Sequence, residues 1–284
     1  MPLRVVTRAS AEPIDLIMAL LQTKQDAGID DVILRACISG AREFAQSTTN
    51  RQLVASRFQL ILDGFPGPSL MGVPYGSTFS LPGHAILLEP NPIIQIVSIT
   101  YTAMDGTTQT MPTTDYVADL STEPARITPI YGKIWPVNLP QIASVVVTFD
   151  AGFAAPFTAN ATTDTITIRG WKPLIVGDNV RLTNSGGLLP APLQFNTDYY
   201  VLSAPAAGVY TLSATLGGAL IDITDTGTGT QYLGEIPEGF ISWMLLRLGS
   251  LYQNREEVAL MSRGKLEPLP FVDGLLDQYR VWRI

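Results

Sequence analysis

Helical periodicity is confined to the two ends of this 284-residue chain, and that feature restricts its architecture more than any other. Between residues 53 and 235 the apolar residues come singly or in short runs between turn residues, the period-two signature of strands. A chain patterned this way must bring two distant helical segments and a long β stretch into one fold. The expected class is α+β: a helical bundle from the N- and C-terminal segments, with a β region and an inserted all-β domain. The expected segments are 1–52, the N-terminal helices of the body; 53–155, the β region; 156–235, the inserted all-β module; and 236–284, the C-terminal helices and tail completing the body. Gly and Pro supply 24 and 21 residues, in keeping with many turns and short strands.

The first 50 residues read as helical. Asp15 can cap a segment carrying Leu16, Ile17, Leu20 and Leu21, and Ala27-Gly28 breaks it. Asp30 and Asp31 suit the N-terminus of a second helix, where free N–H groups favour negative charge. In that helix Ile33, Cys37, Ala41 and Phe44 recur at helical spacing, flanked by Leu34, Ile38 and Ala45, with Arg35, Arg42 and Glu43 on the wet side. Alternation over Val54 to Leu62 predicts a strand, and residues 64–83 an exposed loop rich in Gly, Pro and Ser. Further strands are expected at Ala85–Glu89, Ile93–Ala103, Tyr116–Ala118, Arg126-Ile127 and Ser144–Phe149, with a tight turn at Asp105-Gly106. In the 156–235 block they are expected at Thr165–Arg169, Asn179–Thr183, Asp198–Ser203, Val209–Ser213 and Leu220–Thr224. Helix returns at Ile236, with Pro237 well placed at the first helical position and a stripe of Ile241, Leu245, Leu248 and Tyr252. Phe271, Leu275, Leu276 and Tyr279 suggest a last short helix.

Reactive chemistry is hard to place on these residues. The formal charge is −7 and no run of Lys or Arg occurs, which argues against a grip on nucleic acid. A single cysteine, Cys37, excludes an intramolecular disulfide and any Cys-rich metal site, and reads as a buried thiol. The lone histidine, His84, sits at the edge of the Gly/Pro loop and lacks the partners of a catalytic triad or a zinc site. Asp105, Asp115, Asp119 and Glu123 fall in turns, where Asp serves backbone geometry; a glycosidase would need two carboxylates facing across a cleft. Asp222, Asp225 and Gly227-Thr228-Gly229 match no calcium loop, and neither Gly186-Gly187 nor Gly217-Gly218 is followed as a phosphate loop requires. No catalytic residue, cofactor or metal site is expected, and hence no enzyme.

Only 15% of residues are charged, which favours a protein that loses surface to neighbouring subunits. No stretch has the roughly 18 uninterrupted apolar residues of a membrane span. The N-terminus lacks a secretory signal, so synthesis in the cytoplasm is expected. Trp135, Trp171 and Tyr199-Tyr200 read either as a sugar-binding platform or as core packing, and Trp243 as core or subunit contact. The terminal Tyr279-Arg280-Val281-Trp282-Arg283-Ile284 is apolar for a free chain end, which points to burial in a partner; the alternative is packing on its own helices.

Several stretches resemble phage head–tail connector (adaptor) proteins. They are Glu12-Pro13-Ile14-Asp15-Leu16, Asp30-Asp31-Val32-Ile33-Leu34 and Ala41-Arg42-Glu43-Phe44-Ala45 at the start. Then come Phe58 to Pro66, the segment from Ile236-Pro237-Glu238 to Leu251-Tyr252-Gln253-Asn254-Arg255-Glu256, and Leu275 to Trp282. The block 156–235 departs from that pattern; Val176 to Leu182, Thr197 to Val201 and Tyr210 to Ser213 resemble a small β module spliced into various phage virion proteins. The resemblance implies a virion structural protein of the neck, a ring of about twelve copies around the DNA channel. It further implies docking on the portal protein through Tyr279, Arg280, Val281, Trp282, Arg283 and Ile284, with tail or stopper proteins on the opposite face. DNA would pass without specific binding, and no membrane is involved. The alternative reading is a tail-fibre or decoration-like binding protein of the virion.

Overall fold

A computed structural model describes residues 3–67, 85–253 and 270–281, with side chains throughout except for 270–273. The chain divides into two units. One comprises the described residues of 1–8 and 56–152, and the other those of 9–55 and 153–281.

The first unit is built from two antiparallel sheets. Strands β1 (Leu3–Thr7), β2 (Ser56–Leu62), β4 (Ile93–Thr102), β5 (Thr108–Thr110) and β8 (Val145–Ala151) form a five-stranded sheet in the order β1-β2-β8-β4-β5. Strands β3 (Ile86–Leu88), β6 (Tyr116–Asp119) and β7 (Ala125–Pro129) form a second, in the order β3-β7-β6. Alternation decides which faces meet: Phe58 and Leu60 of β2, Ile99 of β4 and Val147 and Phe149 of β8 share a core with Ile86, Leu88 and Ile127 of the smaller sheet. The opposite face of the larger sheet carries a polar ladder. Asp150 accepts from Arg57 Nε at 2.8 Å and Nη2 at 2.9 Å, and from Gln95 Nε2 at 2.7 Å. That hydrogen bond to Asp150 holds the Arg57 guanidinium above its ordinary pKa. The Asp105-Gly106 turn forms as expected, with Gly106 at φ +83° and its N–H donating to the Ala103 carbonyl.

The second unit combines a closed barrel with four helices. Helices α1 (Leu16–Thr23) and α2 (Asp31–Thr49) precede it, and α3 (Glu238–Gln253) and α4 (Pro270–Asp277) follow. The barrel strands are β9 (Ala154–Asn160), β10 (Thr165–Ile168), β11 (Asn179–Ser185), β12 (Asp198–Ala206), β13 (Val209–Ser213) and β14 (Thr230–Gly234), closed in the order β10-β13-β12-β11-β14-β9. Phe157, Ile166, Val180, Leu182, Val201 and Leu212 are among its buried residues, as expected of a barrel too small to enclose anything but side chains. α2 turns Leu34, Ile38, Ala41 and Ala45 to a core shared with Phe240, Trp243, Met244 and Leu248 of α3.

A helical bundle is therefore the wrong description of this chain. Among the described residues fourteen strands in three sheets outweigh four α-helices, of which α1 and α4 have eight residues each. Helices this few and short do not close a core alone; Tyr232 and Ala154 of the barrel complete it. The N-terminal stretch read as helical begins with a strand, β1, and β5, β9 and β14 also form where no strand was expected. Conversely Leu220 makes only an isolated bridge to Ser213.

Candidate assembly surfaces

The chain end suggested as a partner contact is partly tied to its own body. Tyr279 stacks on Phe240 with ring centroids 4.6 Å apart, and its carbonyl accepts from Arg51 Nε at 2.5 Å. Gly239 makes room for this ring, because a Cβ there would stand 2.6 Å from Tyr279 Cε2. Val281 is buried and donates its N–H to the Thr49 carbonyl at 2.9 Å, while Arg280 is within 3.6 Å of Asp277. Trp282, Arg283 and Ile284 lie outside the described residues, as do His84 and most of the 64–83 loop.

The barrel is seated on the start of α1 by one polar node. Asp15 caps α1, accepting from Ile17 N at 2.9 Å; its own N–H donates to Ser185 Oγ at 2.8 Å, and its carboxylate accepts from Thr230 Oγ1 at 3.1 Å. Tyr232 Oη donates to the Glu12 carbonyl, and burial pushes its phenol above the ordinary range. Gly186, at φ +78°, allows the close approach: a Cβ there would lie 2.5 Å from Asp15 Cβ. Gly186→Ala is expected to destabilise the chain by about 1–3 kcal/mol, from left-handed backbone strain and displacement of the cap. Thermal melts followed by circular dichroism test this; a change within a few tenths of a kcal/mol would show that the node yields freely.

A cleft of about 960 Å³ opens beside the node, lined by Glu12, Asp15 and Arg35 on one side and Thr158, Thr167 and Arg169 on the other. Its two carboxylates are engaged by neighbours: Glu12 accepts from Ser39 Oγ at 2.9 Å and Arg42 Nε at 2.7 Å, and Asp15 from Ile17 N and Thr230 Oγ1. Elsewhere the turn carboxylates are fastened by their own neighbours. Asp105 accepts from Thr107 N and Oγ1, and Asp115 pairs with Lys133. Asp119, bonded to Ser121 and then Arg126, is pushed down to about 2, which is the ionised state and not that of a general acid. A lowered carboxyl pKa contributes stability above the unfolded value of 3.8 that is lost as pH falls toward about 2. The melting-temperature difference between wild type and Asp119→Asn should therefore be present at neutral pH and vanish between about pH 4 and 2. A difference constant across that range would mean that Asp119 acts by packing alone. Among the described residues no group of three or more His, Cys, Asp or Glu is placed to hold a metal.

Trp135 is buried and stacks on Phe65 at 4.8 Å, Tyr199 is buried in the barrel, and Trp171 lines a separate 340 Å³ pocket with Leu174 and Tyr210. Trp243 belongs to the helical core.

Several apolar side chains stand open to solvent. On α2 the buried stripe is Leu34, Ile38, Ala41 and Ala45, while Val32, Ile33 and Phe44 are exposed. Phe44 is held between Trp243, stacked at 5.5 Å, and the Arg247 guanidinium, 5.3 Å from its ring centroid. In the loop between β7 and β8, Tyr131, Ile134, Val137 and Ile142 are each more than 70% exposed. Every residue of β1 is exposed. Sequence reasoning missed these surfaces because an apolar residue reads as core by default.

No protein-family model matches the chain, and no curated protein matches it. Solved structures do. One chain of the "Neck of empty GTA particle computed with C6 symmetry" is 14% identical, with 100% of this chain and 97% of that chain covered and a TM-score of 0.53. This protein has the fold of a gene transfer agent neck chain. A chain of the "Virion of native gene transfer agent (GTA) particle" matches with the same identity, coverage and TM-score. At 14% identity the likeness is one of fold, and it runs the length of both chains. No described helix is long and apolar enough to cross a membrane.

Proposed function

We propose that this chain is a structural protein of a phage-like virion, a head–tail adaptor that forms a ring in the neck between the portal protein and tail or stopper proteins. The observation that carries the reading is the full-length fold likeness to a chain of a gene transfer agent neck. Two features agree with it: the exposed apolar side chains and a net charge of −7. An acidic ring repels the phosphates of DNA in its channel, so DNA passes without being held. Portal contact is assigned to the end of the chain, with Tyr279 and Val281 anchoring it to the helical body and Trp282, Arg283 and Ile284 making the contact.

Two measurements test this. Cryo-electron microscopy of purified particles should place the polypeptide in a ring at the neck; its absence there, or its presence in fibres, refutes the adaptor role. Removing only residues 282–284 should abolish co-purification with the portal protein while leaving the melting temperature unchanged, since both anchors are retained. Undiminished association would remove the chain end from the portal contact.

A further inference from the structure

The larger sheet of the first unit ends in two open strands, β1 on one side and β5 on the other. Among the described residues no element bonds to the outer edge of either, and every side chain in both is exposed. An open edge is a row of free N–H and C=O groups that templates pairing with another strand, and proteins ordinarily blunt such edges with charge, proline or distortion. Here β5, Thr108-Gln109-Thr110, is short but carries no charge, proline or bulge. β1 carries one charge, Arg4, and a bulge after Val5, and it exposes Leu3, Val5 and Val6.

We infer that the outer edge of β1 in one copy pairs with the outer edge of β5 in the next, joining the five-stranded sheets of successive copies. The inference rests on the ring reading above. A cyclic ring requires heterologous contacts, two different surfaces on each subunit that complement one another. Opposite edges of one sheet are two different surfaces, and each offers N–H and C=O groups to the other. The lengths match as well: the regular run of β1 pairing is Leu3–Val5, three residues, and β5 has three. The direction follows from topology. Each strand in the order β1-β2-β8-β4-β5 is antiparallel to its neighbour, so β1 and β5 run the same way. A seam that continues the sheet from one copy into the next keeps that sense, and is therefore parallel.

Cysteine cross-linking tests this in the full chain with Cys37→Ala. One cysteine is placed in β1 and one in β5, in the parallel pairings Leu3 with Thr108, Arg4 with Gln109 and Val5 with Thr110. Within a copy, four strand spacings separate β1 from β5, roughly 19 Å, so no disulfide can form inside one chain. Oxidation of at least one pairing should give a ladder of covalent multimers on a denaturing non-reducing gel, with single-cysteine variants stopping at dimers. Native mass spectrometry on the same samples separates the two claims. Rings without ladders overturn the seam and leave the ring reading standing. Ladders only from Leu3 with Thr110 and Val5 with Thr108 overturn the parallel arrangement. Monomers at every concentration overturn both.

Discussion

Trp243→Ala is expected to cost roughly 3–5 kcal/mol, the range for deleting a large aromatic from a packed core. Trp243 is 1% exposed, lies among the core residues of α2 and α3, and stacks on Phe44. Alanine would leave a void between the helices. Its indole Nε1 has no hydrogen-bond acceptor among the described residues, although the atom is buried. A buried donor left unmet costs about 1–3 kcal/mol, so Trp243→Phe, which keeps the stack and removes the donor, should stay within about 1 kcal/mol of wild type. Urea unfolding followed by far-ultraviolet circular dichroism reads both. A loss below about 1 kcal/mol for the alanine variant would mean that the helices repack around the gap.

Asp150→Ala should have the largest effect in the first unit, about 3 kcal/mol. The Asp150 side chain is 1% exposed and accepts three hydrogen bonds, from Arg57 and Gln95. Removing one partner of a buried ion pair typically costs about 3–5 kcal/mol because the other charge is left without compensation. The Arg57 side chain is 38% exposed and can recover some hydration, which sets the expectation at the lower end. The paired change Arg57→Met with Asp150→Leu, apolar on both sides, should recover most of the loss, since it strands no charge. Hydrogen exchange of the β2 and β8 amides, which flank the pair in register, is the local readout. Equal loss in the single and double variants would show that shape and not charge matters at this site.

Local punctuation was well exposed in the linear chain. Asp105-Gly106 marked its turn, Val209–Ser213 forms a strand where alternation between turn residues placed it, and the expected Asn179–Thr183 lies within the observed Asn179–Ser185. Asp15 caps α1 as its side-chain chemistry requires. The errors came where one pattern had two meanings. On α2 the stripe Leu34, Ile38, Ala41, Ala45 and the stripe Ile33, Cys37, Ala41, Phe44 differ by a fraction of a turn, and both are apolar. The choice fell to packing against α3, leaving Ile33 and Phe44 exposed. β1 was read as helix because five residues are too few to establish a period, and pairing with β2 overrides local preference. The candidate contact at the chain end was legible as an apolar tail, but its anchoring on Phe240 beside Gly239 joins residues about forty positions apart and has no local signal.

Turn positions and the limits of most strands and helices are thus properties of short windows of residues, decided by steric preferences and side-chain chemistry within a few positions. Which strands pair, that six of them close into a barrel, and which apolar faces remain open are settled by the tertiary structure alone. Those choices depend on burying distant faces together, as when β9 meets β14 across more than seventy residues, and that burial energy belongs to the pairing and to neither strand by itself.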